Sequence, residues 1–140
     1  HEAAVLVGNV MLDLLAEAGL KPDAVGGLTM GADPVASAML HQASARGLQL
    51  DAFVVRKEAK KHGMARQVEG PDIEGRKVVI LEDTSTTGGS PLTAAKAAEE
   101  AGAEVLAVAT VVDRDTGARA AIESAGYAYY SALSLSDLGL

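Results

Sequence analysis

The sequence contains no cysteine and no tryptophan, and aromatic residues make up only 3% of its 140 residues. Without cysteine the chain forms no disulfide and no thiolate metal site, which is typical of proteins in a reducing cytoplasm. With so few aromatic residues it lacks the stacking platforms of single-stranded nucleic-acid binders. Basic residues are also scarce, because 12 Lys and Arg stand against 19 Asp and Glu for a net charge of −7. That balance argues against nucleic acid as a partner. No apolar run approaches the ~18 residues of a membrane span.

The remaining composition, 49% hydrophobic and 22% charged, is that of a globular protein. A chain of this length is about one domain long and buries enough surface for one core. We therefore expect residues 1–140 to form a single domain. Its core must be built from Ala, Val, Leu and Ile, because aromatic side chains are few.

Apolar segments of strand length alternate with helical segments, which is the pattern of βαβ units and a mostly parallel sheet. Asp33 followed by Pro34 is a good N-cap and first helical residue. The polar, charged segment 56–76 interrupts the alternation, and a loop that long in a compact domain is usually functional or disordered. We predict an α/β fold with a twisted, mostly parallel sheet flanked by helices. The predicted helices cover 1–18, 34–46, 90–102 and 118–125, and the predicted strands cover 24–29, 52–55, 77–81, 105–112 and 127–131.

The most informative stretch is V-V-I-L-E-D-T-S-T-T-G-G-S at residues 78–90. Its apolar start predicts a buried strand with two carboxylates at the C-terminal end, where open α/β sheets bind their ligands. The hydroxyls and glycines that follow lead into a helix N-terminus, where backbone N–H groups and the helix dipole attract a phosphate. Two adjacent carboxylates would repel a triphosphate, but they suit the paired hydroxyls of a ribose. The stretch therefore predicts a site for a ribose 5-phosphate.

The same residues allow a plainer interpretation, a solvated acidic strand end before a well-capped helix. For Glu82 and Asp83 alone that interpretation is the more common one, since exposed carboxylates are routine. The whole stretch favours a site, because strand, acid pair and phosphate loop occur together. Neither G-x-x-x-x-G-K-[ST] nor G-x-G-x-x-G after a strand is present.

These thirteen residues resemble the phosphoribosyl pyrophosphate (PRPP) motif of the type I phosphoribosyltransferases. The resemblance implies the type I phosphoribosyltransferase fold, with Glu82 and Asp83 holding the ribose hydroxyls. It implies that PRPP carries Mg²⁺ to the site and that the protein itself supplies no direct metal ligand. The loop implied to hold the 5-phosphate consists of Thr84, Ser85, Thr86, Thr87 and Gly88.

A basic segment, residues 56–66, holds five Lys or Arg and one Glu, so its charge is +4 and the other 129 residues carry −11. Such an island attracts a polyanion locally, although a solvated charged loop is the ordinary alternative. The pattern R-K-x-x-K-x-H-G resembles the long mobile catalytic loop of orotate phosphoribosyltransferases. The resemblance implies a homodimer that shares this loop across its interface, with Lys60 and His62 as catalytic residues. The residues implied to contact the pyrophosphate of PRPP are Arg56, Lys57, Lys60 and His62.

Two further elements follow predicted strands. Residues 29–34 resemble the family's pyrophosphate-binding turn, but they lack the Lys or Arg that many relatives place there. An ordinary turn with Asp33 as N-cap is the alternative. Arg114 follows the long apolar strand, where an Arg can pair bidentately with a carboxylate. The resemblance implies that Arg114 reads the carboxylate of orotate and that Thr86 assists it.

The chain has no initiator Met, and its first residues already show a helical pattern. Members of the family have a segment ahead of this helix that covers the base and supplies a Lys, and nothing in the sequence matches it. We therefore expect an N-terminally truncated domain.

The resemblance as a whole implies an orotate phosphoribosyltransferase of the cytoplasm. Such an enzyme joins orotate to PRPP with Mg²⁺ and forms orotidine 5′-phosphate and pyrophosphate. A purine-directed phosphoribosyltransferase is one alternative, because it shares the PRPP motif without needing the basic segment or Arg114. A non-catalytic domain that senses PRPP is another, because a fold alone does not fix a function.

Overall fold

The computed structural model of the chain describes residues 2–28, 31–56, 67–85, 87–137 and 139. Its helices are α1 (Glu2–Glu17), α2 (Asp33–Ala45), α3 (Gly89–Glu100) and α4 (Ala118–Ser124). Its strands are β1 (Ala24–Leu28), β2 (Asp51–Val55), β3 (Val68–Glu69), β4 (Lys77–Thr84), β5 (Glu104–Asp113) and β6 (Ala128–Ser134). No helix in the described parts of the chain is long and apolar enough to cross a membrane.

The six strands form one sheet in the order β3-β2-β1-β4-β5-β6. Every neighbouring pair is parallel except β2 and β3, which are antiparallel. The parallel strands β1, β4 and β5 lie side by side in the middle, so their carboxyl ends meet at one edge of the sheet. The predicted α/β fold with a mostly parallel sheet is confirmed.

Helices cover both faces of the sheet, because each parallel connection crosses over one face or the other. On one face α1 and α2 pack over Val79 and Leu81 of β4. On the other face α3 and α4 pack over Val78 and Ile80. This alternation explains why β4 reads as a continuous apolar run in the sequence. Much of α3's buried face is alanine, which lets the helix backbone lie close to the sheet.

The structure corrects two local predictions. The segment predicted as irregular contains β3, whose two residues pair with Val54 and Val55 of β2. A strand of two residues is too short to show any periodicity. The N-cap of α2 is Ala32 rather than Asp33, and it makes no side-chain capping bond. Asp33 instead occupies the first turn, where its negative charge favours the helix dipole.

Strand β4 also extends further than the apolar run indicates. The predicted strand ends at Leu81, whereas the backbone pairing with β5 continues through Glu82 and Thr84, opposite Thr110 and Val112. Backbone hydrogen bonds do not depend on side-chain polarity, so a strand can carry polar residues to its end. The two adjacent carboxylates therefore belong to a regular strand and not to the loop after it.

Candidate active site

The candidate site lies where the carboxyl ends of β1, β4 and β5 meet. Strand β4 brings Glu82 and Asp83 to this edge, β1 leads into the turn before α2, and β5 brings Asp113. Ligands of open α/β sheets bind in this location, because loops and helix N-termini converge there. The topology thus gathers three segments that are far apart in sequence.

The two carboxylates of β4 lie on opposite faces of the strand, because successive strand residues alternate. Glu82 lies on the α3 side and is partly buried, and its Oε2 atom has no hydrogen-bond partner among the described residues. Burial, reinforced by the charge of Asp83, raises the pKa of Glu82 from 4.5 to about 7. A buried carboxyl oxygen without a partner, in a group that ionises near neutral pH, suits a ligand hydroxyl that can donate to it.

Asp83 is exposed and lies beside the turn between β1 and α2. The backbone N–H of Thr84 donates to Asp83 Oδ1 at 2.7 Å. A Cβ atom placed on Gly31 would come within 3.3 Å of that same oxygen, so the glycine leaves the carboxylate accessible. The turn is held close by Gly27, where a Cβ would lie 2.5 Å from the Leu81 carbonyl oxygen. Both glycines therefore allow β1 and the turn after it to lie close to β4.

Residues 84–88, here called the phosphate loop, connect the last residue of β4 to α3. Gly88 is the N-cap of α3 with φ of 92°, a left-handed conformation that favours glycine. The first N–H groups of a helix have no partner within the helix and attract an anion. Thr87 is exposed at this position. Thr86, predicted to contact both PRPP and orotate, lies outside the described residues.

Ser85 differs from the other hydroxyl residues of the loop because it is fully buried. Its backbone N–H donates to the Val112 carbonyl at 2.9 Å, and its hydroxyl donates to Asp113 Oδ1 at 2.9 Å. The same Oγ accepts the backbone N–H of Arg114 at 3.0 Å. Both donors of Ser85 are thus engaged within the protein.

The turn after β5, residues 113–117, is here called the base turn. Asp113 is 6% exposed, and its Oδ1 also accepts the backbone N–H of Asp115 at 3.0 Å. Arg114 is exposed and directly follows β5, the strand next to the one that carries the acid pair. This position agrees with its predicted role in reading a carboxylate, which stays a prediction.

At the other end of the site, Arg56 follows β2. Its Nε atom pairs with Glu69 Oε1 of β3 at 2.8 Å. Its backbone N–H donates to the Gln67 carbonyl at 2.8 Å, and Gln67 Nε2 donates back to the Arg56 carbonyl at 3.1 Å. Lys57, Lys60 and His62 lie outside the described residues, as do Thr29 and Met30 of the predicted pyrophosphate-binding turn.

Asp113, whose carboxylate organises the base turn, is not among the site residues predicted from the sequence. A signal was present, because Asp accepts a hydrogen bond from the N–H two residues later in a common turn. Gly117, with φ of 97° as N-cap of α4, marks the end of that turn. Among the described residues no group of three His, Asp or Glu side chains could hold a metal ion.

Comparison with known proteins identifies relatives over the whole chain. The family described as "Phosphoribosyl transferase domain" matches residues 1–125. The orotate phosphoribosyltransferase of Streptomyces coelicolor is 66% identical over 140 residues, covering 99% of this chain and 76% of the relative. The fold is similar to that of Mycobacterium tuberculosis orotate phosphoribosyltransferase in complex with Fe(III) dicitrate, with a TM-score of 0.89 and 54% identity. That match covers 100% of this chain and 78% of the other.

A second structure of the mycobacterial enzyme contains 5-phospho-α-D-ribosyl 1-diphosphate, which is PRPP. It matches with a TM-score of 0.85 and 50% identity, over 100% of this chain and 78% of the other.

Proposed function

The chain belongs to the orotate phosphoribosyltransferases, and from this membership we propose that it transfers the phosphoribosyl group of PRPP to orotate. The products are orotidine 5′-phosphate, a precursor of pyrimidine nucleotides, and pyrophosphate. One structural observation supports the proposal most directly. The acid pair at the end of β4 is followed within a few residues by the N-terminus of α3, which is capped by a glycine. One continuous segment therefore offers carboxylates to the ribose hydroxyls and backbone N–H groups to the 5-phosphate.

The ribose 5-phosphate is held by β4 and the phosphate loop. Glu82 and Asp83 accept hydrogen bonds from the two ribose hydroxyls, and Glu82 Oε2 has the free acceptor capacity that this requires. The 5-phosphate occupies the N-terminus of α3, where the backbone N–H groups of the loop and the hydroxyls of Thr84, Thr86 and Thr87 donate to it. Ser85 belongs to the same loop, and its role is developed below.

Orotate lies between the base turn and the ribose. Its carboxylate pairs with the Arg114 guanidinium, whose planar fork matches a carboxylate with two parallel hydrogen bonds. Thr86 assists from the phosphate loop. A site built to pair a carboxylate discriminates strongly against bases that lack it, because the arginine would then be left unpaired.

Pyrophosphate leaves as the C1–O bond of the ribose breaks and the bond from C1 to the orotate nitrogen forms. The transition state has oxocarbenium character, so the protein acts mainly through positioning and charge. Arg56, Lys57, Lys60 and His62 stabilise the negative charge of the leaving pyrophosphate. The ion pair with Glu69 engages Nε of Arg56 and holds this guanidinium at the β2–β3 edge.

Mg²⁺ would be held by PRPP itself, and it would supply positive charge that neutralises the pyrophosphate. The residues present fit this arrangement, because Glu82 and Asp83 offer the hard oxygen atoms that accept hydroxyls of a magnesium-bound sugar. Residues 1–140 act as a single phosphoribosyltransferase domain in a homodimer that shares the basic segment. The cytoplasmic location stays a prediction.

Thermal shift and turnover together test the proposal. PRPP with Mg²⁺ should raise the melting temperature, as a ligand selective for the native state does. Asp83→Asn should lose much of that shift while its unliganded melting temperature barely changes. Asp13→Asn on α1 removes an exposed carboxylate far from the sheet edge and serves as the control.

Orotate consumption in the presence of PRPP then separates the candidate functions. Consumption of orotate with release of pyrophosphate supports the proposal. The turnover assay uses a protein as long as the relatives, because this chain spans 76% of the Streptomyces coelicolor relative. In that protein, PRPP binding with no turnover of any base would identify a sensor domain, and turnover of adenine or guanine in place of orotate would identify a purine enzyme. An Asp83→Asn variant with an undiminished PRPP shift would overturn the ribose assignment.

A further inference from the structure

The phosphate loop and the base turn are joined by one buried pair of side chains, Ser85 and Asp113. The pair spans 28 positions of sequence, and its oxygen atoms are 2.9 Å apart. Ser85 is fully buried and Asp113 nearly so. Each residue also bonds to backbone of the base turn, Ser85 to the N–H of Arg114 and Asp113 to the N–H of Asp115.

We propose that the Ser85–Asp113 pair is a positioning device, which fixes Arg114 relative to the phosphate loop and thereby sets the affinity for orotate without touching it. This inference rests on the proposed function, since it assigns the pair a role in that reaction. The two substrates must meet with C1 of the ribose aligned to the orotate nitrogen. A misplacement of 1 Å can cost on the order of 100-fold in rate.

Both hydrogen-bond donors of Ser85, its N–H and its O–H, are used in bonds to β5 and the base turn. The Ser85 hydroxyl has a single proton, and that proton is donated to Asp113, while the oxygen accepts from Arg114. The backbone N–H of Ser85 is engaged with Val112. Ser85 is thus bonded to three consecutive residues of β5 and the base turn, at positions 112, 113 and 114.

The backbone of the base turn also depends on Asp113. Asp115 has φ of 58°, a left-handed conformation that is uncommon for residues other than glycine. Its N–H donates to Asp113 Oδ1, so the carboxylate holds this residue in an unfavourable conformation. Without the carboxylate the turn can relax toward ordinary φ values. Arg114, which lies between the two, would move with it.

A buried polar pair could also serve stability alone, and kinetics separate the two roles. Asp113→Ala should raise the KM for orotate and lower kcat/KM for orotate by on the order of 10- to 100-fold, with a much smaller change in the KM for PRPP. Asp113→Asn keeps an acceptor oxygen at the same place and should retain most of the orotate affinity. Ser85→Ala should act in the same direction as Asp113→Ala and decides the question if that variant does not fold.

Val108→Ala is the matched control, because Val108 is a fully buried residue of the same strand, five positions before Asp113 and opposite Ile80 in the middle of the sheet. It should lower the melting temperature while it leaves both KM values unchanged. A purely structural role predicts that Asp113→Ala lowers the melting temperature while both KM values stay at their wild-type levels. That outcome would overturn the positioning role.

A double-mutant cycle with Arg114 is the sharpest test. If Asp113 acts by placing Arg114, then Asp113→Ala should cost little further orotate affinity in an Arg114→Ala background, so the two effects are not additive. Full additivity would contradict the proposal. A wild-type protein of the relatives' full length that neither binds nor consumes orotate would overturn the proposed function itself. A wild-type chain that does both, with orotate KM unaffected by Asp113→Ala, would overturn only the positioning role.

Discussion

Glu82 makes the stability of this protein depend on pH in an unusual direction. Its pKa rises from 4.5 to about 7 on folding, because burial and the charge of Asp83 disfavour the carboxylate. Between those two values the folded chain binds more protons than the unfolded chain, so the free energy of unfolding falls as pH rises. The contribution of Glu82 is fully present below pH 4.5 and lost as pH passes through about 7.

The size of this effect follows from the pKa difference. At 1.36 kcal/mol for each pKa unit, the rise from 4.5 to about 7 corresponds to about 3 kcal/mol as an upper limit. Glu82 is only partly buried, and solvent screening reduces the figure to about 1–2 kcal/mol. Glu82→Gln removes the titration while it keeps the shape of the neutral acid. We therefore expect the variant to equal the wild type at pH 4 and to exceed its stability by about 1–2 kcal/mol at pH 8.

Urea unfolding of both proteins at pH 4 and pH 8 measures this difference directly. Groups that do not interact with Glu82 titrate alike in the two proteins, so the comparison reports residue 82 together with its interaction with Asp83. Glu100→Gln on α3 is the control, because the side chain of Glu100 is exposed. This variant should change the free energy of unfolding by the same small amount at pH 4 and at pH 8. A Glu82→Gln variant that gains nothing at pH 8, or gains as much at pH 4, would refute the reasoning.

Four further outcomes are expected. Affinity for PRPP should rise with pH through about 7, because the ionised Glu82 accepts a hydrogen bond from a ribose hydroxyl more strongly than the neutral acid does, and calorimetric titration measures it. Arg114→Ala should weaken orotate binding by about 1.5–3 kcal/mol, the worth of a charge-assisted hydrogen bond, with PRPP binding spared in the same titration. Lys60→Ala should lower kcat by a factor on the order of 10²–10³ in steady-state assays. If a dimer shares the basic segment, mixing the Lys60→Ala protein with the Asp83→Asn protein should restore some activity, because one hybrid site is then intact. Gly88→Ala should lose about 1–2 kcal/mol in urea unfolding, because φ of 92° strains any side chain and the added Cβ lies 3.3 Å from the Ala118 carbonyl oxygen.

Periodicity predicts all four helices and five of the six strands that the structure describes. Each of these elements is long enough, or apolar enough, for its pattern to differ from that of its neighbours. Strand β3 has only two residues and exists because β2 offers it an edge, which no local pattern records. The predicted end of β4 is wrong for a related reason, because the pairing of β4 with β5 continues after the apolar residues stop.

The candidate site likewise combines residues that the sequence pattern predicts with contacts that only the fold creates. Glu82, Asp83 and the phosphate loop are contiguous in sequence, so the motif predicts them together. The pairing of Ser85 with Asp113 joins residues 28 positions apart, and only the register between β4 and β5 brings them into contact. The ion pair of Arg56 with Glu69 likewise depends on β3, which the sequence pattern did not predict.

The antiparallel pairing of β2 with β3 limits how far the basic segment can extend from the sheet. Arg56 and Gln67 exchange hydrogen bonds, so the two ends of residues 57–66 are fixed side by side at the β2–β3 edge. A chain of ten residues with adjacent ends can extend at most about 20 Å from them, because only half of its length counts and an extended chain spans up to about 3.6 Å per residue. The backbone can therefore place Lys57, Lys60 and His62 no farther than that from the edge, and their side chains add only their own length. A copy of the protein that receives this segment must bring its own pyrophosphate within reach of those side chains.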